Sequence, residues 1–395
     1  MPFLPDLPRW LRGAAFAGVL CGTALAANAP PVPLGVVPGA RSPGCALLVR
    51  RGGHTLLAAG YGTRSLGSRQ PLDAHSNFRL ASVSKQFTAM AVMLLVADGR
   101  LSYDATLADL LPGFPDYARR VTVRHLLTHT AGLADYEELM ELEEHAGGPA
   151  YTPQNQIQDA QVLELLQRQP ALRFEPGSQW AYSNSAYVLL GLIVGRVSAL
   201  PFEAFLTTRI FAPLGMRGTR LFVRGRNTVA ARAYGYASGA TGLSAADQSS
   251  TSATQGDGGI YSNLADLARW DDALERHTLL AESLMSPAYE PVRLANGGQT
   301  RWPEVGDEDN LAPGEPVAYG YGWFLDPSDG YARRWHFGTT SGFRSAIMRF
   351  PEQRLTTVAL CNRTDVDARE VALRLARHYM RVPGFEDSGG EGSVR

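Results

Sequence analysis

The chain predicts an α/β (α+β) protein, with one sheet built from both chain ends and a mostly helical domain inserted between them. Three observations carry that expectation. Residues 45–61 form two short apolar runs joined by Arg51-Gly52-Gly53, a hairpin pattern. Residues 334–340, 343–350 and 355–361 return to short strand-like runs, with Pro351-Glu352-Gln353 turning between the last two. Between them, from about 104 to 290, apolar residues recur mostly at helical spacing.

The order of elements starts with a targeting segment. Arg9 and Arg12 precede a small-apolar run over 13–26, followed by Ala27-Asn28-Ala29 and the prolines Pro30, Pro31 and Pro33. This predicts a signal peptide over 1–26, cleaved near Ala24-Leu25-Ala26 or Ala27-Asn28-Ala29, a linker over 27–40, and export to the periplasm or beyond. The run is too short to span a bilayer, and no later stretch could do so. Lipid attachment at Cys21 is the competing reading, disfavoured because Leu20 stands where processing wants a small residue. Of the 3 cysteines, removal of the segment leaves Cys45 and Cys361, either as buried thiols or as a pair in an oxidising compartment.

After the hairpin, Phe87, Met90, Ala91, Met93, Leu94 and Leu95 place a helix over 82–97, ending before Gly99, so that Ser82 sits in its first turn. Further helices are expected over 105–111, 123–129, 161–166, 186–197, 202–210 and 263–274. The Gly/Ser/Ala/Thr-rich stretch 237–259 and the polar stretch 296–318 are expected as loops; loops around 134–160 and 237–259 are expected to wall the pocket. A helix over about 366–380 follows the final strands, and a Gly/Ser/Glu tail over 384–395 has nothing to bury. The domain runs over 41–383, its sheet part at about 41–103 and 319–383 and its helical part at about 104–318.

Composition is that of an ordinary globular protein, with 45% hydrophobic and 19% charged residues. A net charge of −1 supplies no electrostatic reason for a nucleic-acid or anionic-membrane partner. The histidines are scattered, without Cys/His metal spacing or H-E-x-x-H, and nothing calls for a metal or another cofactor. The partner this leaves is a small-molecule or peptide substrate; oligomeric state stays open.

One residue stands apart. Lys85 is the only lysine, and it follows Ser82 by three positions in Ser82-Val83-Ser84-Lys85. A buried lysine can be tuned toward neutrality and act as a base, which a guanidinium cannot. One helical turn after a serine at a helix N-terminus, it returns to the same face and can take the serine proton. Ser84 has the wrong spacing and is structural. Acyl transfer also needs a proton carrier for the leaving group. Tyr182-Ser183-Asn184 and Tyr261-Ser262-Asn263 offer identical residue types, both before a helix, and residue type alone does not choose between them.

Ser82-Val83-Ser84-Lys85, Tyr182-Ser183-Asn184 and His336-Phe337-Gly338-Thr339, in that order, resemble the three motifs of the serine β-lactamase and penicillin-binding-protein superfamily. The branch most resembled is that of class C β-lactamases, D-alanyl-D-alanine carboxypeptidases and esterases. Stretches at 123–133, 174–177, 213–216, 258–259 and 319–323 support the resemblance, which spans 45–362. It implies an antiparallel sheet flanked by helices, Ser82 as nucleophile, Lys85 as its base, Tyr182 as proton shuttle and Asn184 as positioning group. It also implies an oxyanion hole from the backbone N–H groups of Ser82 and Thr339, with Asn184, His336, Gly338 and Thr339 binding substrate. His336 stands where lysine is usual and Phe337 where threonine is usual. A histidine there can hydrogen-bond a substrate carboxylate or Tyr182, but carries charge only part of the time near neutral pH, which weakens β-lactam hydrolysis relative to peptidase, amidase or esterase activity.

His125 and His129, four apart on a helix, resemble a metal pair, yet no third ligand is evident and the resemblance makes them packing and capping residues. The G-x-S-x-G elbow of another hydrolase class is missing. The resemblance further implies antiparallel first and last strands, which brings Cys45 to Cys361 as a hypothesised disulfide. The expected activity is acyl-enzyme hydrolysis of D-amino-acid peptides, amides, esters or β-lactams. The alternative from another class is a penicillin-binding sensor or an idle scaffold of the same fold.

Overall fold

The computed structural model describes residues 41–304 and 311–381. The signal segment 1–26, the linker 27–40 and the tail 384–395 lie outside the described residues.

The first and last strands of the chain are direct neighbours. β1 (Cys45–Arg51) and β2 (His54–Tyr61) form the hairpin expected at Arg51-Gly52-Gly53, and β3 (Arg334–Thr340), β4 (Phe343–Phe350) and β5 (Leu355–Cys361) return from the other end. Together they make a 5-stranded sheet in the order β2-β1-β5-β4-β3, antiparallel throughout. Burial of both β1 and β5 explains why Cys45–Val49 and Val358–Cys361 read as continuous apolar runs rather than alternating ones. In that pair Cys45 stands opposite Cys361, and the two form a disulfide. Of the two cysteine states left open by composition, the paired one is the one present.

Alternation along β5 sends neighbouring side chains to opposite faces. Thr357 Oγ1 donates to the Ala372 carbonyl of α4 (Ala368–Arg381), which covers one face. Thr356 Oγ1 donates to Asp271 of α3 (Leu264–Glu275) on the other. Asp271 also takes Arg349 Nε at 2.8 Å and lies 3.5 Å from Arg50 Nε, so a buried carboxylate from the helical insertion is neutralised by two sheet arginines. A buried charge left without such partners costs about 3–5 kcal/mol, so this group fixes where α3 sits on the sheet.

α1 (Lys85–Ala97) packs against α2 (Asn184–Ser198), whose burial on nearly every side makes it the centre of the helical region. The insertion is not uniformly helical. Phe78–Arg79, Ile260–Ser262 and Arg220–Leu221 form a second, 3-stranded sheet. The stretch expected as a loop at 237–259 begins with a hairpin, Tyr236–Gly239 on Gly242–Ala245; its strands are largely exposed and carry no apolar alternation to announce them. A helix, Tyr136–His145, occupies part of the expected loop 134–160. Its signature was local: Asp135 caps it by accepting the Glu137 N–H, Glu137 and Glu138 fill the first turn, and Leu139 and Met140 face inward.

The disulfide ties two strands 316 residues apart in sequence. Unreduced protein lacking residues 1–26 is expected to titrate no free thiol, and Cys45→Ser with Cys361→Ser is expected to lose about 2–4 kcal/mol of unfolding free energy by chemical denaturation. An unchanged midpoint would show that β-sheet pairing alone holds the chain ends.

Candidate active site

Ser82 lies in a single 3-10 turn, Ala81–Ser84, leading directly into α1. The turn is entered through Ala81 at φ +48°, a left-handed value that costs a non-glycine residue about 1–3 kcal/mol and is held only by its surroundings. Those surroundings include β3. A Cβ on Gly338 would stand 2.2 Å from the Leu80 carbonyl oxygen and 3.0 Å from Ala81 Cβ, so only glycine lets the strand pass. Ser345 Oγ on β4 donates to the same Leu80 carbonyl at 2.6 Å. Ser82 and Thr339, the residue after Gly338, consequently share one cleft wall.

Lys85 is fully buried at the start of α1. Its Nζ lies 2.9 Å from Ser82 Oγ, and donates to Asn184 Oδ1 at 2.7 Å and to the Asp257 carbonyl at 3.1 Å. Asn184 and the Asp257 carbonyl can only accept here, whereas the serine hydroxyl can accept or donate. Asp257 reaches this position because the chain before it runs close to α2: a Cβ on Gly256 would lie 2.1 Å from the Tyr187 carbonyl. Thr88 Oγ1 of α1 holds the Gly256 carbonyl at 2.6 Å.

The two Tyr-Ser-Asn triplets separate here. In the first, Ser183 caps α2 through the Ala186 N–H, which frees the Asn184 side chain for Lys85. The Tyr182 ring centroid lies 4.9 Å from Lys85 Nζ. In the second, Asn263 is itself the cap of α3, and the Tyr261 hydroxyl accepts from Arg232 and Gln248. The geometry therefore gathers Ser82, Lys85, Tyr182 and Asn184, and leaves Tyr261 in the small sheet.

Tyr182 is embedded in aromatic rings: His129, expected as a packing residue, at 4.5 Å and, stacked, Phe324, which sequence reading did not single out, at 6.4 Å between centroids. His129 adopts φ +59° and accepts the Ser183 N–H on Nδ1 at 3.0 Å, so it positions the triplet from behind. His125 caps its own helix, Nδ1 accepting the Thr122 N–H. Both thus serve capping and packing, and among the described residues no cluster of His, Cys, Asp and Glu could hold a metal ion.

His336 departs from the role expected for it. It is fully buried and absent from the cleft wall. The Phe337 carbonyl takes Nδ1–H at 2.7 Å, which makes Nε2 the acceptor for the Tyr319 hydroxyl at 3.0 Å. Burial, and then the charge of Lys85, push its pKa down to about 3, so it is neutral at pH 7 rather than partly charged. Gly338 likewise acts by letting chains approach and does not line the main cleft. The cleft itself, about 790 Å³, is walled by Ser82, Tyr182, Asn184, Asp257, Trp302 and Thr339, among others.

Residues 36–380 match the Beta-lactamase family. The chain belongs to that family. It is accordingly a hydrolase of the serine β-lactamase and penicillin-binding-protein superfamily. It is 32% identical over 348 residues to penicillin-binding protein 4* of Bacillus subtilis (strain 168), covering 85% of this chain and 71% of that one. It is 28% identical to a D-aminopeptidase of Brucella anthropi over 88% of this chain, and spans 61% of that relative's length. A penicillin binding protein from Bacillus halodurans has a similar solved structure, with TM-score 0.68, 26% identity, and 84% and 95% of the two chains covered.

Gly338→Ala is expected to push β3 off the Ser82 turn and lower kcat at least about 100-fold, with a smaller effect on KM, as loss of a transition-state contact does. His336 adds an acid sensitivity. Its folded pKa of about 3 lies below its unfolded value of 6.5, so the unfolded chain takes up the proton first as pH falls. Stability is full above pH 6.5 and declines toward pH 3 by up to about 1.4 kcal/mol per pH unit from this group. His336→Gln is expected to flatten that acid limb in melting temperatures measured against pH.

Proposed function

We propose that this hydrolase works through an acyl-enzyme on Ser82 and acts on amides, esters or short peptides of D-amino acids. The observation that carries the reading is the 2.9 Å contact between Lys85 Nζ and Ser82 Oγ, inside a site where Lys85 is held by two acceptor-only oxygens. In a neutral amine those two oxygens take both N–H bonds, and the lone pair faces the serine proton. Ser82 Oγ then attacks the substrate carbonyl, Lys85 accepts the proton, and Tyr182 relays a proton to the leaving group. The Ser82 and Thr339 N–H groups stabilise the oxyanion. Water attacks the acyl-enzyme by the reverse proton route and releases the acid.

The neutral, buried His336 supports amide and ester substrates over β-lactams, because it brings no cation to meet a β-lactam carboxylate. The D-aminopeptidase relative points to the same substrate class. Export is part of the reading: the Cys45–Cys361 disulfide accords with an oxidising compartment.

A fluorophosphonate probe is expected to label the wild type and not Ser82→Ala. Lys85→Arg keeps the charge but cannot deprotonate, and is expected to lose at least about 1000-fold in kcat/KM on a chromogenic ester. Near-normal rates in Lys85→Arg would sink the assignment of the base.

A further inference from the structure

A cavity of about 340 Å³ lies apart from the Ser82 cleft and shares no wall residue with it. It opens between the start of β3, the end of β4 and residues 282–289, which follow α3 in the chain. Small-molecule sites span about 300–1,000 Å³, so this one has room for a ligand of modest size.

Two arginines meet on its wall. Arg334 of β3 stands directly opposite Arg349 of β4 in the antiparallel register, an arrangement in which like charges destabilise a sheet. Only one of the two is neutralised inside the protein. Arg349 gives its Nε to Asp271 Oδ1 at 2.8 Å. Arg334 has no carboxylate partner among the described residues. Burial lowers its pKa most, Tyr289 acts the other way, and the charge of Arg349 lowers it again. Arg334 is half-buried, with its guanidinium carbon 3.7 Å from the centroid of the Tyr289 ring. That stack fixes the direction of the guanidinium fork before any ligand arrives. Its nitrogens stay open to solvent where the residue lines the cavity. The Tyr289 hydroxyl, by contrast, is buried and has no hydrogen-bond partner among the described residues. The charged groups that act on it, Arg334 and Arg349, can only donate, so its proton lacks an acceptor. The wall thus gathers two guanidinium groups and a phenol around a missing acceptor.

Three glutamates also line the cavity. Glu275 is engaged by Arg354 Nε at 2.9 Å, while Glu282 and Glu290 are exposed. Those two are the counter-reading, a seat for a cation. Exposed carboxylates keep their hydration and are screened by salt, whereas a half-buried guanidinium has lost much of its water and gains more from a partner. One uncompensated positive charge calls for one negative charge, and a dianion would also be repelled by Glu282 and Glu290.

We propose that this cavity binds a small organic monocarboxylate, its two oxygens taken by the Arg334 fork, with Tyr289 and Arg349 as further donors. Bidentate capture of a carboxylate is what a planar, pre-stacked guanidinium does best. The site is independent of the acyl-enzyme reading, because it uses no residue of the Ser82 cleft.

The test titrates propionate into the protein by calorimetry at constant ionic strength, against chloride. The wild type is expected to show one saturable site. Arg334→Gln is expected to weaken it at least about tenfold, as loss of a charge-assisted pair does. Tyr289→Phe keeps the ring under the guanidinium and removes the O–H, and is expected to weaken it at least about threefold. Melting transitions show whether each variant is folded. If Arg334→Gln is not, Arg334→Lys takes its place: it keeps the charge, loses the planar fork, and must also weaken propionate. No saturable binding by the wild type would overturn the proposal. So would equal affinity in the folded Arg334 variant, which places propionate elsewhere, the Ser82 cleft included. Tighter binding of inorganic phosphate than of propionate refutes the choice of a monoanion. Saturable binding of methylammonium in place of propionate assigns the cavity to Glu282 and Glu290 and refutes the anion site.

Discussion

A single buried lysine organises this protein. Lys85 has no exposed surface, and a polar group taken out of water is costly unless it is hydrogen-bonded. The fold therefore has to deliver partners to Nζ from elsewhere in the chain. It does so from the 3-10 turn through Ser82, from the start of α2 through Asn184, and from the approach to the small sheet through the Asp257 carbonyl. Each delivery requires a local concession. Ala81 takes a left-handed φ, Ser183 rather than Asn184 caps α2, and Gly256 presses against the Tyr187 carbonyl.

The rest of the scaffold holds those segments still. The sheet is closed at its centre by the first and last strands, paired from Cys45–Cys361 to Arg51–Leu355. The helical insertion is keyed to it by Asp271, shared between Arg50, Arg349 and Thr356. Around Tyr182 the structure uses neutral rings instead of charges. His129 and His336 are both depressed in pKa, by burial first and then by Lys85, so neither competes with the lysine for protons.

Much of the candidate site was legible in the residues, because the chemistry expected of it needs particular types at short spacing. Ser82 and Lys85 are one helical turn apart, and that local relation survives any tertiary arrangement. The strands at both ends and the main helices were likewise announced by apolar period and by turns. The Tyr136–His145 helix and the 236–245 hairpin escaped, the first because its polar side dominates its composition, the second because its strands bury little.

By itself the sequence determined the Ser82–Lys85 pairing, the sheet made from both chain ends, and the family pattern, all of which rest on local spacing or order along the chain. Residue type could not separate Tyr182 from Tyr261; the family resemblance pointed to Tyr182, and tertiary structure showed the physical difference, in which residue caps the following helix and which ring meets Lys85. Tertiary structure also closed the disulfide, because strand register, not cysteine count, sets the distance between Cys45 and Cys361. It withdrew His336 into the interior, where both ring nitrogens are taken and the proton is lost.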